Sequence, residues 1–529
     1  MDRTASAYDS FQYENLPFRM SHPDWLATIG TLAGLTPPDV RTSRVLDIGC
    51  ARGGHLIPLA ELLPDASFVG IDLAPSQIAD ARDDARGIGL TNVEFRAMDV
   101  RDLSSDLGQF DYILCHGVFS WVPDDAREAV LRSCRDLLTP NGLAYVSYNT
   151  LPGWHARGML RSMFSRVVPD GDPIERARSA RTFVDMLADF VPDTLPLHSW
   201  LRNEINLLSH YSDRYLFFEH LVEENTPFYF RDFMNQAHAF DLIHVADAEV
   251  ASGSFLQVGT DASQAIAQRV VSDTSTYEGR IEAQQLLDLL TLRHFRRSIL
   301  THAHRVDELR PEFDARRTAE MYVSLERLRT NELGESEIEL DVDGADGLEV
   351  ALDDDGNFVV TSGDPVPIVA LWCLAGSPHR RLRVDELVEA VSAQVDLDDV
   401  EQQVHTWALT NFVAGEVQLT RWPRPVTYES SGSPMTSRCA RWQAAQLRRS
   451  ITNLRHEEVE IDDLDRALVL AMDGSRSSSQ LVEAGLAVIA EGTVEVEVDD
   501  ERVTDVELLR ELVETKIRRL VNRAVVLAD

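Results

Sequence analysis

The chain is 529 residues long and carries 87 acidic against 50 basic side chains, a formal charge of −37. Hydrophobic residues at 44% and charged residues at 26% are ordinary globular proportions, which excludes a disordered chain. Acidity on this scale repels phosphate backbones and excludes sequence-independent nucleic-acid binding unless a local basic face exists.

Lys516 is the only lysine, so arginine supplies the remaining basic charge. A GC-rich coding sequence or a salty cytoplasm would each produce that bias. The cysteines (Cys50, Cys115, Cys134, Cys373, Cys439) are too scattered for a disulfide framework and form no CxxC pair, so neither disulfides nor a metal is expected. No apolar signal core follows Met1, and no apolar run approaches the ~18–20 residues of a membrane helix. A soluble cytoplasmic protein is expected. Length suggests about three or four domains, placed at 1–155, 156–335, 336–425 and 426–529.

From Arg44 to Thr150 short apolar runs alternate with helical stretches. Val45–Ile48, Ser67–Asp72, Val93–Met98, Phe110–Cys115 and Leu143–Tyr148 read as strands. Helices through Leu56–Leu63, Ser76–Gly87 and Asp125–Leu138 fall between them. Such βαβ spacing predicts a doubly wound α/β domain on a parallel sheet. Residues 156–225 read as helices. A helix at Phe230–Ala239 and a strand at Leu242–Val245 could complete the first sheet, making those helices an insertion. Further helices are predicted at Tyr277–Leu300 and Asp314–Leu328. The acidic stretch Ile338–Gly356 reads as a solvated hairpin turning at Asp355–Gly356 rather than a calcium loop. Pro423–Pro434 reads as a linker. A faint repeat relates Ala370–Gly376 and Leu387–Ala390 to Ala467–Gly474 and Leu481–Ala484, predicting two winged-helix-like units in tandem. Their acids (Asp396, Asp398, Asp399, Asp462, Asp463, Asp465) favour protein over nucleic-acid contacts.

The chemistry concentrates at Val45-Leu-Asp-Ile-Gly-Cys-Ala-Arg-Gly-Gly54. A buried strand ends in an acid, then small residues let the backbone approach a ligand before a helix opens. Asp72 closes the second strand, where an acid hydrogen-bonds ribose hydroxyls in doubly wound folds. NAD and S-adenosylmethionine sites share these parts. Asp47 would oppose a pyrophosphate but suits an amino-acid ammonium group. Met98-Asp99 offers a thioether and a carboxylate to an adenine. Cys115 to Pro123 adds an aromatic loop at the sheet's carboxyl edge. These favour S-adenosylmethionine.

The sequence resembles the class I S-adenosylmethionine-dependent methyltransferases, and within them the bacterial group with a methyltransferase regulatory domain that includes protein-lysine methyltransferases of outer-membrane proteins. The resemblance rests on Ser21-His22-Pro23, Leu46–Ala51, Gly54–Ala60, Cys115–Pro123, Ser147–Trp154, Phe218–Leu221, Pro227–Phe230 and Thr452–Glu457. Ala51 stands where the general motif has glycine. The resemblance implies that Asp47, Gly49 and Gly53 line the methionine part of the cofactor, Asp72 the ribose and Asp99 the adenine, with Cys50, Leu73, Met98 and Cys115 beside them. It implies methyl transfer to a protein lysine. Trp121, Tyr148 and Trp154 are candidate pocket walls or core residues. Asn149 could orient the nucleophile, His116 is either a base or a loop holder, and Tyr8 and Tyr13 could form a lid. A small-molecule methyltransferase and an inactive protein-binding module remain alternatives, and the chain could form a homodimer.

Overall fold

The computed structural model describes residues 11, 15–190, 192, 194, 198–253, 275–325, 350–352, 358–360, 365–395, 397–428, 432–494, 497–498, 501–502 and 505–527. Seven strands form one sheet: β1 (Arg44–Ile48), β2 (Ser67–Asp72), β3 (Val93–Ala97), β4 (Phe110–Cys115), β5 (Leu138–Asn149), β6 (Leu242–Asp247) and β7 (Phe295–His302). Their order is β3-β2-β1-β4-β5-β7-β6. The first five pair in parallel, and β7 runs antiparallel to both β5 and β6. Period-two alternation builds a core on each face. Tyr112 and Leu114 pack with helix Pro23–Leu32, whereas Ile113 and Cys115 pack with helices Asp124–Leu137 and Phe230–Ala239. Strand order reverses between β1 and β4, which opens a crevice at their carboxyl ends.

The expected helix–strand pair, Phe230–Ala239 and β6, does complete this sheet. Helices Trp154–Val167, Pro173–Phe190, His198–His210 and Asp213–His220 are therefore an insertion, with their own core around Phe164, Leu208, Leu216 and Phe217.

Two helices read from the sequence are corrected. The one expected to run to Leu300 stops at Thr291, capped by Leu292 at φ +50°, and β7 follows. Arg296 and Arg297 make β7 look like a solvated helix, yet Arg296 is fully buried. Its guanidinium donates to both oxygens of Asp288 at 2.8 Å and lies 3.9 Å from the centre of the Phe230 ring. The second, Asp314–Leu328, is a short 3₁₀ turn (Ala315–Thr318) followed by a strand (Tyr322–Ser324), with residues 326–328 outside the described set. Met321, Val323 and Leu325 are all buried, a spacing of two rather than 3.6.

Strands Val350–Leu352 and Phe358–Val360 pair antiparallel, while the expected turn at Asp355–Gly356 lies outside the described residues. Three helices (Pro365–Ala375, Val384–Ser392, Val400–Ala414) precede the strand Gln418–Thr420. Three more (Asp463–Ala471, Ser478–Ala490, Val506–Asn522) precede the bridge-forming Val526 and Leu527. In the segment read as a linker, Val426 bridges to Leu527, and both Arg424 and Val426 are buried.

Candidate active site

A cavity of about 480 Å³ opens at the carboxyl ends of β1, β2 and β4. Asp47, Gly49, Cys50, Asp72, Leu73, Met98, Asp99, His116 and Trp121 all line it. The loop after β1 needs its small residues. Gly49 has φ +81°, and a Cβ there would come within 2.4 Å of Val118. Ala51 also sits in the left-handed region, at φ +48°, which costs an L-residue about 1 kcal/mol and accounts for the glycine of the general motif. The Ala51 N–H donates to Asp72 Oδ2 and the Ala74 N–H to Asp72 Oδ1, both at 2.9 Å. Asp72 thus shapes the loop as well as facing the cavity.

Asp47 is 5% exposed, and among the described residues its carboxylate has no hydrogen-bond or ion-pair partner. Burial, aided by the nearby Asp72 charge, raises its pKa to about 7. A buried acid facing a second acid with no cation beside it fits a positively charged ligand group. At the rim, the Arg101 guanidinium donates to Asp99 Oδ2 at 2.7 Å and Oδ1 at 3.0 Å, which lowers the Asp99 pKa. Leu73, 48% exposed, offers an apolar wall opposite Met98. This acid–apolar–acid sequence fits the ammonium, ribose and adenine of S-adenosylmethionine.

His116 Nδ1 lies 2.8 Å from the Tyr145 hydroxyl, and Phe18 stacks on the imidazole with centroids 3.8 Å apart. Burial and the Arg297 charge hold its pKa well below the usual imidazole value, so it serves poorly as a base at neutral pH and holds the loop. Trp121 packs edge-on against buried Trp154 at 6.2 Å, with the Arg161 guanidinium 5.8 Å from its ring centre.

Four expected site residues lie away from the cavity. Tyr148 points to the opposite face of β5, stacks on Phe233 at 4.0 Å and has its hydroxyl 3.1 Å from Ser298 Oγ. Asn149 donates its backbone N–H to Ser120 Oγ at 2.9 Å, and its buried side-chain Nδ2 has no partner among the described residues. Cys115 is buried in the core beneath helix Asp124–Leu137. Gly53, at φ +76°, bends the loop against the Phe95 ring instead of lining the space. Tyr8 and Tyr13, the proposed lid, lie outside the described residues.

Other cavity residues were not named as site residues: His55, Phe218 and Glu219 sit in segments that carry the family resemblance, whereas Phe18, Phe295 of β7, and Glu223 and Glu224 from the helical insertion had no local signature. Long-range folding alone brings them here. Burial raises the Glu219 pKa to about 7 despite Arg157 and Arg161 nearby. Arg157 is paired with Glu204 at 2.9 Å, and Arg161 donates to the main-chain oxygens of Glu219 and Val222.

Comparison with known proteins agrees with this layout. Residues 45–142 match the model of a methyltransferase domain, 212–302 a predicted methyltransferase regulatory domain, and 433–525 the PKMT C-terminal winged helix domain. An uncharacterised protein of Rickettsia prowazekii (strain Madrid E) is 28% identical over 98% of this chain and 92% of its own length. A second from the same organism is 36% identical over 44% of this chain and 93% of its own length. The structure of PKMT2 from Rickettsia typhi superposes with a TM-score of 0.84 at 26% identity, covering 97% of this chain and all of that one. Its complex with AdoHcy superposes with the same TM-score.

Proposed function

The chain belongs to the S-adenosylmethionine-dependent methyltransferases that carry a methyltransferase regulatory domain and a C-terminal winged helix, and from that premise we propose that its acceptor is a lysine side chain of a protein. S-adenosylmethionine supplies a methyl group on a positively charged, already electrophilic sulfur. The protein therefore has to bind, align and dehydrate. In this reading Asp47 would take the amino-acid ammonium, Asp72 the ribose hydroxyls, and Met98 and Asp99 the adenine.

The observation that carries the lysine reading is the wall the insertion adds to the cavity: Glu219, Glu223 and Glu224 beside the aromatic Trp121, Phe18 and Phe295. An acidic and aromatic wall suits an incoming cation. A lysine amine arrives protonated, with a pKa near ~10.4. Glu219 Oε can accept that proton, which breaks one N–H bond and frees the nitrogen lone pair. With the Glu219 pKa at about 7, the transfer is uphill by about 5 kcal/mol for a solvated amine, and loss of water around the ammonium narrows the gap. The likeness to PKMT2 supports the same reading. Cytoplasmic residence is part of the proposal, and five cysteines without a disulfide support it.

The test is incubation with radiolabelled S-adenosylmethionine and a bacterial lysate, followed by acid hydrolysis of the protein fraction. Label recovered as methyl-lysine is expected. Glu219→Gln should lower kcat at pH 7 at least tenfold while cofactor affinity holds. Label confined to acid-soluble small molecules would overturn the protein acceptor.

A further inference from the structure

The C-terminal winged helix reaches the cofactor loop at two points. His456 Nε2 lies 2.7 Å from Nδ1 of His55, the residue that ends the loop and lines the cavity. The Phe18 N–H donates to that same Nδ1 at 3.3 Å, so Nδ1 is a lone pair and His456 must be the donor. The remaining His55 proton then sits on Nε2, 3.4 Å from Ser21 Oγ. Both rings are buried, as is His22, whose ring meets that of His456 edge-on at 5.5 Å. At the other point, Asp84 accepts from Arg52 of the loop at 2.8 Å, and also from Trp442 Nε1 at 3.0 Å and Arg448 at 2.6 Å of the winged helix.

We propose that the winged helix is a working part of the cofactor site, with His456 a positioning residue that holds the Gly49–His55 loop in its binding shape through His55. A buried hydrogen bond between segments 401 residues apart links two free energies that could otherwise vary separately: loop closure and domain docking. Linkage is reciprocal, so a filled cofactor site tightens the docking of the winged helix, and anything that displaces that domain weakens cofactor binding. The domain is thereby an input to activity, and an acceptor or partner resting on it can tune the active site without touching it.

The inference rests on the S-adenosylmethionine reading, and calorimetric titration of the full chain with S-adenosylhomocysteine separates the two. No binding by the wild type would sink the cofactor reading itself. Given binding, His456→Leu should weaken affinity at least tenfold. His456→Gln, whose amide N–H stands near the lost Nε2–H, should stay within about threefold of wild type. Arg438→Ala removes only the side-chain bonds of a winged-helix contact that touches no loop residue, those to Glu61 and the Ile88 carbonyl; the backbone N–H groups of Arg438 and Cys439 still hold Glu61, so the domain stays docked and affinity should be unchanged. Hydrogen exchange around residues 450–457 should slow when the ligand binds to wild type but not to His456→Leu. Should His456→Leu fail to fold, His456→Gln against His456→Asn decides, because the shorter amide falls short of His55. Wild-type affinity in His456→Leu, equal affinities for Gln and Asn, or an equal loss in Arg438→Ala would overturn the proposal.

Discussion

Asp47 shows how one residue can carry both a cost and a function. Its carboxylate is buried without a partner among the described residues, and its pKa stands near 7 because burial and Asp72 both disfavour the charge. A ligand ammonium pays back that cost only if Asp47 is ionised. Cofactor affinity should therefore fall as pH drops from 8 to 6, while Asp47→Asn should bind weakly with a flat profile over that range. Calorimetry at three pH values checks this, and a flat wild-type profile would assign the ammonium to another group. Asp47, Asp72 and the loop were legible in the sequence because a strand end followed by small residues is a local pattern. Tyr148 and Asn149 were misread for an equally local reason. They adjoin a motif-like stretch, but alternation along β5 turns the Tyr148 ring into the core on Phe233. Glu219 and His456 lie in segments that carry the family resemblance, Phe218–Leu221 and Thr452–Glu457, but nothing local marked them as site residues, since their partners lie in other domains.

The same boundary between local and long-range information separates the elements. The first five strands and their helices follow period and turn chemistry and were readable to within a few residues. β7 was not, because its charge is cancelled by residues in other elements: Asp288 of the preceding helix and Asp247 at the end of β6. That buried set, with Arg293 paired to Asp247 at 2.8 Å, fixes β7 between β5 and β6. Removing one partner of a buried pair leaves an uncompensated charge, which costs about 3–5 kcal/mol. Asp288→Ala should destabilise the methyltransferase sheet by about that much. An Arg296→Met, Asp288→Leu double substitution should recover most of it. Urea unfolding followed by tryptophan fluorescence would measure both, and a single variant as stable as wild type would show that Arg296 finds water instead.

Over the whole molecule, the −37 charge and the single lysine take on a structural setting. Lys516 pairs with Asp462 and, at 3.1 Å, with Asp465, the two residues of a helix-capping box in the winged helix, so it is already engaged away from the cavity. Six histidines (His22, His55, His220, His244, His405 and His456) are almost wholly buried, and burial depresses each pKa, for His55, His220 and His244 to about 3. An unfolded histidine titrates near 6.5. Between pH 6.5 and about 3 the unfolded chain therefore binds protons that the folded chain refuses, and stability falls as pH falls. Buried carboxylates oppose this. Asp24, Asp47 and Glu219, raised to about 6, about 7 and about 7, are protonated in the folded state before the unfolded one and add stability in the same window. Six groups against three leave the histidines dominant, with a net loss of about 3 kcal/mol between pH 7 and 5.5. The thermal midpoint should drop over that interval and recover on return to pH 7. Because three of the six histidines sit where the winged helix meets the cofactor loop, the interface at 450–457 should show faster hydrogen exchange before the sheet does. A midpoint that rises on acidification would mean the buried carboxylates outweigh the histidines.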